Sequence, residues 1–258
     1  MRQPRTILIT GASSGIGAAL AEAYATAGIR LVLTGRDRAR LDAVGARCRA
    51  RGAETDTRIV DVADRASMAA LIAECDAAAA LDLVIANAGV SAGTLGGPEQ
   101  GEQVRTLFAI NVDGVVNTVQ PAIEAMLPRG HGQIAIMSSL AALRGFPGAP
   151  TYCASKAAVK IWGEALRGAL HHRGIAVNVI CPGFIRTAMS AQNDFRMPLL
   201  MSAEKAAGII QRGLARNRAR IAFPWRLYAA VSLVASLPPG LIDPLLRRLP
   251  AKAGQIRD

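Results

Sequence analysis

The sequence predicts an α/β protein: a doubly wound parallel sheet of about seven strands, covered by helices on both faces, in a single domain. Three observations carry that prediction. Short runs rich in Ile, Val and Leu alternate with longer Ala-rich runs of helical spacing. The alternation is regular from Thr6 to Ala222, which implies right-handed βαβ units. The chain has 258 residues, with 51% hydrophobic and only 4% aromatic residues. That suits close helix–sheet packing in one α/β domain, a class that often exceeds the usual ~150 residues.

Taken in order, Thr6–Thr10 reads as a first strand, followed after Gly15 by a helix ending at Ala27-Gly28. Arg30–Thr34 is a second strand and Arg38–Arg51 a helix stopped at Gly52. Thr57–Val60 makes a third strand, Ala63 to Ala79 a helix, and Leu81–Ala86 a fourth strand. A long helix from Glu102 to Met126 is closed by Pro128 and Gly130. Then come a strand at Gln133–Ser138, a helix at Tyr152–His172 and a strand at Ile175–Cys181. Ser202 caps a helix running to Asn217, and Arg220–Ala222 is a last short strand. No repeat or low-complexity linker interrupts residues 1–222; residues 223–258 read as an apolar and basic helical extension.

The formal charge is +11, carried mostly by dispersed Arg residues with no aromatic-interleaved basic block. Nucleic acid is therefore not the expected partner. Cys48, Cys75, Cys153 and Cys181 are widely spaced and form no metal-ligand pattern, so reduced thiols and no metal are expected. The N-terminal apolar run is too short for a signal segment, and the expected location is the cytoplasm.

The first strand runs into Thr10-Gly11-Ala12-Ser13-Ser14-Gly15-Ile16-Gly17 and at once into a helix. Glycines let the backbone turn tightly and approach a phosphate, while the helix N-terminus offers free N–H groups. An ordinary Gly-rich turn would look similar, but its place after strand one of a βα series favours the phosphate reading. TGASSGIG resembles the TGxxxGxG signature of the short-chain dehydrogenase/reductase family, and the resemblance extends to about Ile221. It implies a Rossmann-like fold, a nicotinamide dinucleotide, and hydride transfer between a carbonyl and an alcohol carbon.

Arg36 ends the second strand where an acid would hold the ribose 2′-OH of NAD; a basic residue there accommodates a 2′-phosphate. NADP (NADPH) is the expected cofactor and NAD the second choice, against the alternative that Arg36 is only a solvated charge. Arg38 follows, and Asp37 reads as the next helix's N-cap. Ser13 or Ser14 can add a hydroxyl to a phosphate. By resemblance, Asp61 and Val62 meet the adenine, with helix capping the other role open to Asp61, and Asn87-Ala88-Gly89 flank the cofactor. Ala86 stands where the family usually has Asn. Pro182, Gly183 and Thr187, in Cys181-Pro182-Gly183-Phe184-Ile185-Arg186-Thr187, resemble the family's PGxxxT element near the nicotinamide amide, with helix capping as the plainer role for Thr187.

Tyr152 and Lys156 are four apart at the head of a helix and share a face. Ser139 lies at the end of strand five and Asn111 in the preceding helix. Reducing a ketone requires a proton for the developing alkoxide. A phenol near pKa ~10 holds its proton tightly, and an ammonium about 5 Å away opposes this by roughly 3 kcal/mol at an effective dielectric of 20. The positive nicotinamide of an oxidised cofactor pushes the same way, while burial of the phenolate opposes it. On that balance Tyr152 is the expected general acid/base. The resemblance gives Lys156 the ribose hydroxyls, Ser139 the carbonyl oxygen, and Asn111 a local kink in its helix and a water behind Lys156: an Asn-Ser-Tyr-Lys tetrad. A non-catalytic NADP-binding sensor or scaffold would keep the glycines and drop these four. An enoyl-thioester reductase would space Tyr and Lys further apart.

Ala188–Leu200 mixes Met189, Phe195, Met197, Leu199 and Leu200, either a lid over an apolar substrate or a cover for the core. In the extension, Ala229–Leu237 and Leu241–Leu249 are separated by Pro238-Pro239-Gly240, too short to span a bilayer. A partner subunit, in a homodimer or homotetramer, is the favoured contact for them, and a peripheral membrane surface the other.

Overall fold

The computed structural model describes residues 3–94, 96–193, 195–248 and 252. Its sheet alternates with helices along the chain: β1 (Thr6–Ile9), α1 (Gly15–Tyr24), β2 (Arg30–Gly35), α2 (Arg38–Ala50), β3 (Glu54–Ile59), α3 (Arg65–Ala78) and β4 (Leu83–Ala86). The second half holds α4 (Gly101–Phe108), α5 (Gly114–Met126), β5 (Gly132–Met137), α6 (Pro150–Leu170) and β6 (Ile175–Pro182). β7 (Ile185–Arg186), β8 (Met201–Ser202), α7 (Ala203–Ala215), β9 (Arg220–Phe223), α8 (Trp225–Ser236) and α9 (Pro239–Leu246) follow. Seven strands form one parallel sheet in the order β3-β2-β1-β4-β5-β6-β9, as the alternation predicts.

Each central strand is apolar on both sides, as a parallel sheet covered twice requires. Ile7 and Ile9 point into a core shared with Leu20, Leu41 and Ile210 of α1, α2 and α7. Leu8, between them, joins Ile72, Val119 and Val159 of α3, α5 and α6 on the other face. All of these are at most 2% exposed, worth roughly 1.5–3 kcal/mol of transfer free energy apiece.

A polar seam ties the far end together. Buried Gln133 donates to Asn178 Oδ1 at 2.7 Å, and Asn178 Nδ2 donates to Arg218 O at 2.7 Å. Arg167 completes it, donating to Val177 O at 2.7 Å and Asn217 Oδ1 at 2.8 Å.

The long helix expected from Glu102 to Met126 is broken by a wider π turn at Ala109–Asp113, around the Asn111 where the resemblance implies a local kink. Two features depart from the sequence reading. β7 and β8 form a small parallel ribbon that was not foreseen, because two-residue strands carry no period to read. The extension begins its first helix at Trp225, four residues before the expected Ala229, and Pro239 opens the second helix at its first position, where a missing N–H costs nothing. Leu249, the expected end of that helix, lies outside the described residues.

Leu227 and Tyr228 of α8 pack against Leu140, Val179 and Cys181. Arg144 pairs with Asp243 of α9 at 3.0 Å. Between these helices and the head of α6 lies a cavity of about 670 Å³, faced by Cys153.

Candidate active site

The chain leaves β1 to build β2 and β3 on one side, then returns to place β4 on the other. Such a reversal leaves a crevice at the carboxyl ends of the strands. A cleft of about 810 Å³ lies there, running from Gly11 and Arg36 to Tyr152 and Thr187.

Gly11 turns with φ +65°, and a Cβ on it would stand 2.7 Å from Ala88 Cα. Asn87 fastens the turn, its side-chain amide donating to Thr10 O at 2.9 Å and Gly11 O at 3.1 Å. Thr10 Oγ1 in return accepts the N–H groups of Asn87 and Ala88. Gly17 lies beneath the turn rather than in the cleft; a Cβ there would meet Gly11 O at 2.3 Å. Its role is packing of helix on loop, while Ser13, Ser14, Gly15 and Ile16 face the cleft. Ser14, at the N-cap of α1, makes no side-chain capping bond. By contrast Asp37 caps α2, accepting Arg40 N at 2.9 Å. The uncapped end of α1 opens on the cleft with orphan N–H donors, which fits an anionic pyrophosphate.

Asp37 is thus the helix cap the sequence predicts, and Arg36 lines the cleft. The second arginine there is Arg40, which sequence reasoning did not single out. Arg38 instead lies on the outer side, 3.9 Å from Asp42. The available signal for Arg40 was its place in the first turn of α2, just after the Asp37 cap. Asp61 and Val62 line the same end. Asp61 receives Ala63 N at 2.9 Å, and the cap of α3 is Asp64 instead. Asn87, Ala88, Gly89, Pro182, Gly183 and Thr187 complete the wall. Thr187 does not cap the short helix that follows, whose N-cap is Met189; its Oγ1 accepts Ser190 N at 3.3 Å within the turn. Ala86, where Asn is usual, is buried in the core.

At the other end Ser139, Tyr152 and Lys156 meet in one wall. Lys156 is 4% exposed and donates from Nζ to Met137 O at 3.1 Å. Ser138 is occupied elsewhere, donating to Lys156 O at 2.7 Å, which leaves Ser139 as the hydroxyl beside Tyr152. Asn111 stands behind the wall, not in it. Its π turn directs the amide to Val90, accepting Val90 N at 2.9 Å and donating to Val90 O at 3.0 Å, with Ser155 Oγ at 3.1 Å. A Cβ on Gly89 would lie 3.0 Å from Asn111 Oδ1 and 3.1 Å from Lys156 Nζ, so both groups crowd onto that glycine.

One electrostatic expectation is corrected. Burial raises Tyr152 above the usual phenol value, only partly opposed by the nearby Ser139 hydroxyl. The expected lowering by Lys156 does not enter that balance, and burial brings its own ammonium down to about 8. The phenol therefore holds its proton, as a donor to a carbonyl oxygen must. Cys153, beside Tyr152, is buried with its thiol pushed up by that burial, which disfavours a nucleophilic role. Ser91, Phe184, Met189 and Lys252 also line the cleft; of these the sequence reading had named Phe184, within the element after strand six, and Met189, in the segment after Thr187.

The comparisons with known proteins agree with this geometry. Residues 5–196 match the short chain dehydrogenase family. An uncharacterized oxidoreductase of Myxococcus xanthus is 37% identical over 246 residues, covering 95% of this chain and 97% of that one. A short-chain dehydrogenase of Sphingobium yanoikuyae, solved with NADPH, superposes with a TM-score of 0.79 at 28% identity, over 95% of this chain and 96% of that one. A short-chain dehydrogenase/reductase of Burkholderia phymatum, solved with NAD, gives 0.81 at 27% identity over 98% of each chain. From its first strand to its seventh, then, this chain is an oxidoreductase belonging to the short-chain dehydrogenase/reductase family.

Proposed function

We propose that the protein transfers hydride between NADP(H) and a ketone or secondary alcohol, with an apolar body on the substrate. The observation that carries the reading is that Ser139, Tyr152 and Lys156 wall the cleft whose other end is the glycine turn at Gly11. The dinucleotide, when bound, supplies or accepts the hydride. Gly11 to Ile16 and the start of α1 would hold its pyrophosphate, Asp61 and Val62 its adenine, and Pro182, Gly183 and Thr187 its nicotinamide end. Arg36 and Arg40 favour a 2′-phosphate over a bare hydroxyl. Ser139 orients the carbonyl oxygen, Tyr152 gives that oxygen its proton, and Lys156 holds the nicotinamide ribose. Asn111 fixes the backbone at Val90 beside Gly89, and so positions Lys156. Phe184 and Met189 provide apolar lining on the substrate side.

Residues 223–258 form the substrate-side extension in this reading. No helix among the described residues is long and apolar enough to cross a membrane. Trp225, Leu233 and Leu241 are 70%, 64% and 73% exposed, which favours a second copy of the chain as their partner, in a cytoplasmic homo-oligomer, over a lipid surface.

NADPH oxidation against ketones, aldehydes, quinones and acyl-thioester ketones tests the activity. Tyr152→Phe should lower turnover at least ~100-fold while NADPH binding stays within about twofold. Undiminished turnover in that variant removes Tyr152 from the mechanism.

A further inference from the structure

Lys252 reaches the reacting end of the cleft from the far end of the sequence. Its Nζ stands 4.5 Å from the centre of the Tyr152 ring. The same ammonium donates to Ser91 Oγ, and its backbone N–H donates to Gly148 O at 3.4 Å. Its seat is shaped for it. A Cβ on Gly93 would lie 2.5 Å from Lys252 Cβ and 2.5 Å from Gly148 O, so only glycine lets these three segments meet.

This ammonium is largely removed from water, and burial brings it down to about 8. No carboxylate pairs with it among the described residues. The acidic side chains lining the cleft are Asp37 and Asp61, both at its opposite end. An ammonium has three donors, and one hydroxyl and one ring face satisfy it only in part. A buried cation without a counter-charge is costly unless an anion arrives to complete it. Lys156 is the other cation here, and the proposed hydride transfer already employs it on the ribose. Lys252 has no such duty.

We infer that Lys252 is a specificity-determining residue that binds the carboxylate of an oxo-acid substrate whose reacting carbonyl rests on Tyr152. An ammonium over a phenol face lies on the order of 5 Å from the hydroxyl oxygen. With hydrogen bonds of about 2.8 Å to each group, the two ends of the ligand are separated by one or two carbons. That describes a 2-oxo or 3-oxo acid, with its apolar chain directed to Phe184 and Met189. The inference rests on the proposed function for the identity of the reacting carbonyl.

The test uses 2-oxooctanoate and 3-oxooctanoate beside their methyl esters, which differ from the acids in charge and not in chain. Each is titrated calorimetrically into the full-length enzyme saturated with NADP⁺, and each is assayed for NADPH oxidation. At least one acid should bind about tenfold or more tightly than its ester. Lys252→Gln should abolish that preference, raising KM more than it lowers kcat and leaving NADPH affinity unchanged, while Lys252→Arg should retain it. Failure of both acids to bind, equal binding of acid and ester, or an undiminished preference in Lys252→Gln overturns the inference. Calorimetric preference without any NADPH oxidation would instead overturn the proposed reaction and leave the role of Lys252 standing.

Discussion

Replacing Lys156 by Met should make the cofactor-free protein more stable near neutral pH, and the gain should vanish in alkali. Burial lowers the ammonium from its ordinary 10.5 to about 8. Each unit is worth ~1.4 kcal/mol, so the folded state carries a penalty of roughly 3 kcal/mol while both states are protonated. The bond to Met137 O, at 3.1 Å, offsets about 1 kcal/mol of this once it is lost. Below about 8 the penalty is complete. Between about 8 and 10.5 the unfolded chain binds more protons than the folded one, so the stability of the parent protein rises with pH. Lys156→Met, which cannot titrate, lacks that rise. Urea unfolding of both proteins at intervals from pH 7 to 9.5 should therefore show their difference moving by roughly 2 kcal/mol in favour of the parent. Lys252 titrates in the same window, but it is present in both proteins and largely cancels. A difference that stays level with pH, or that moves toward the variant, refutes the claim that this ammonium is held against its hydration.

Arg36→Glu combined with Arg40→Glu should erase or reverse the preference for NADPH over NADH, read from fluorescence titrations of both cofactors; an unchanged ratio removes the 2′-phosphate assignment. Gly17→Ala places a methyl 2.3 Å from Gly11 O and should cost about 3 kcal/mol of stability together with dinucleotide binding, and a thermal melt within a degree of the parent would show that the loop yields freely. Asn178→Leu takes one of two acceptors from the Gln133 amide and the donor from the carbonyl of Arg218 and should destabilise by about 2 kcal/mol, measured by denaturant unfolding, without altering the cofactor preference.

The layered fold was legible because its signal is periodic. Strand runs such as Thr6–Ile9 and helices capped by Asp37 or Ser202 announce themselves within a few residues. The glycine turn and the pair Tyr152 and Lys156 were legible for the same reason, being local in sequence. What escaped was set by distance along the chain or by backbone detail. Lys252 comes to lie over Tyr152 a hundred residues away, and nothing local to either announces the meeting. The break at Asn111 was legible only through the family resemblance, since a helical pattern passes straight through the π turn that sets its amide on Val90. The direction of the Tyr152 shift was misjudged because the opposing effect of its burial was given too little weight, and spacing along a helix does not reveal how deeply a phenol is enclosed.

Gly183 joins two parts of the molecule that the sequence keeps apart. Its N–H donates to Phe223 O at 2.7 Å, and a Cβ on it would press on Leu227 and Pro224 at 2.8 and 3.1 Å. A chimera that borrows α7 and everything after it from a relative would carry this joint across its seam. Grafts that keep Gly183, Phe223, Pro224 and Leu227 from a single parent should preserve redox geometry while exchanging what the enzyme recognises, whereas grafts cut between them should disturb both at once.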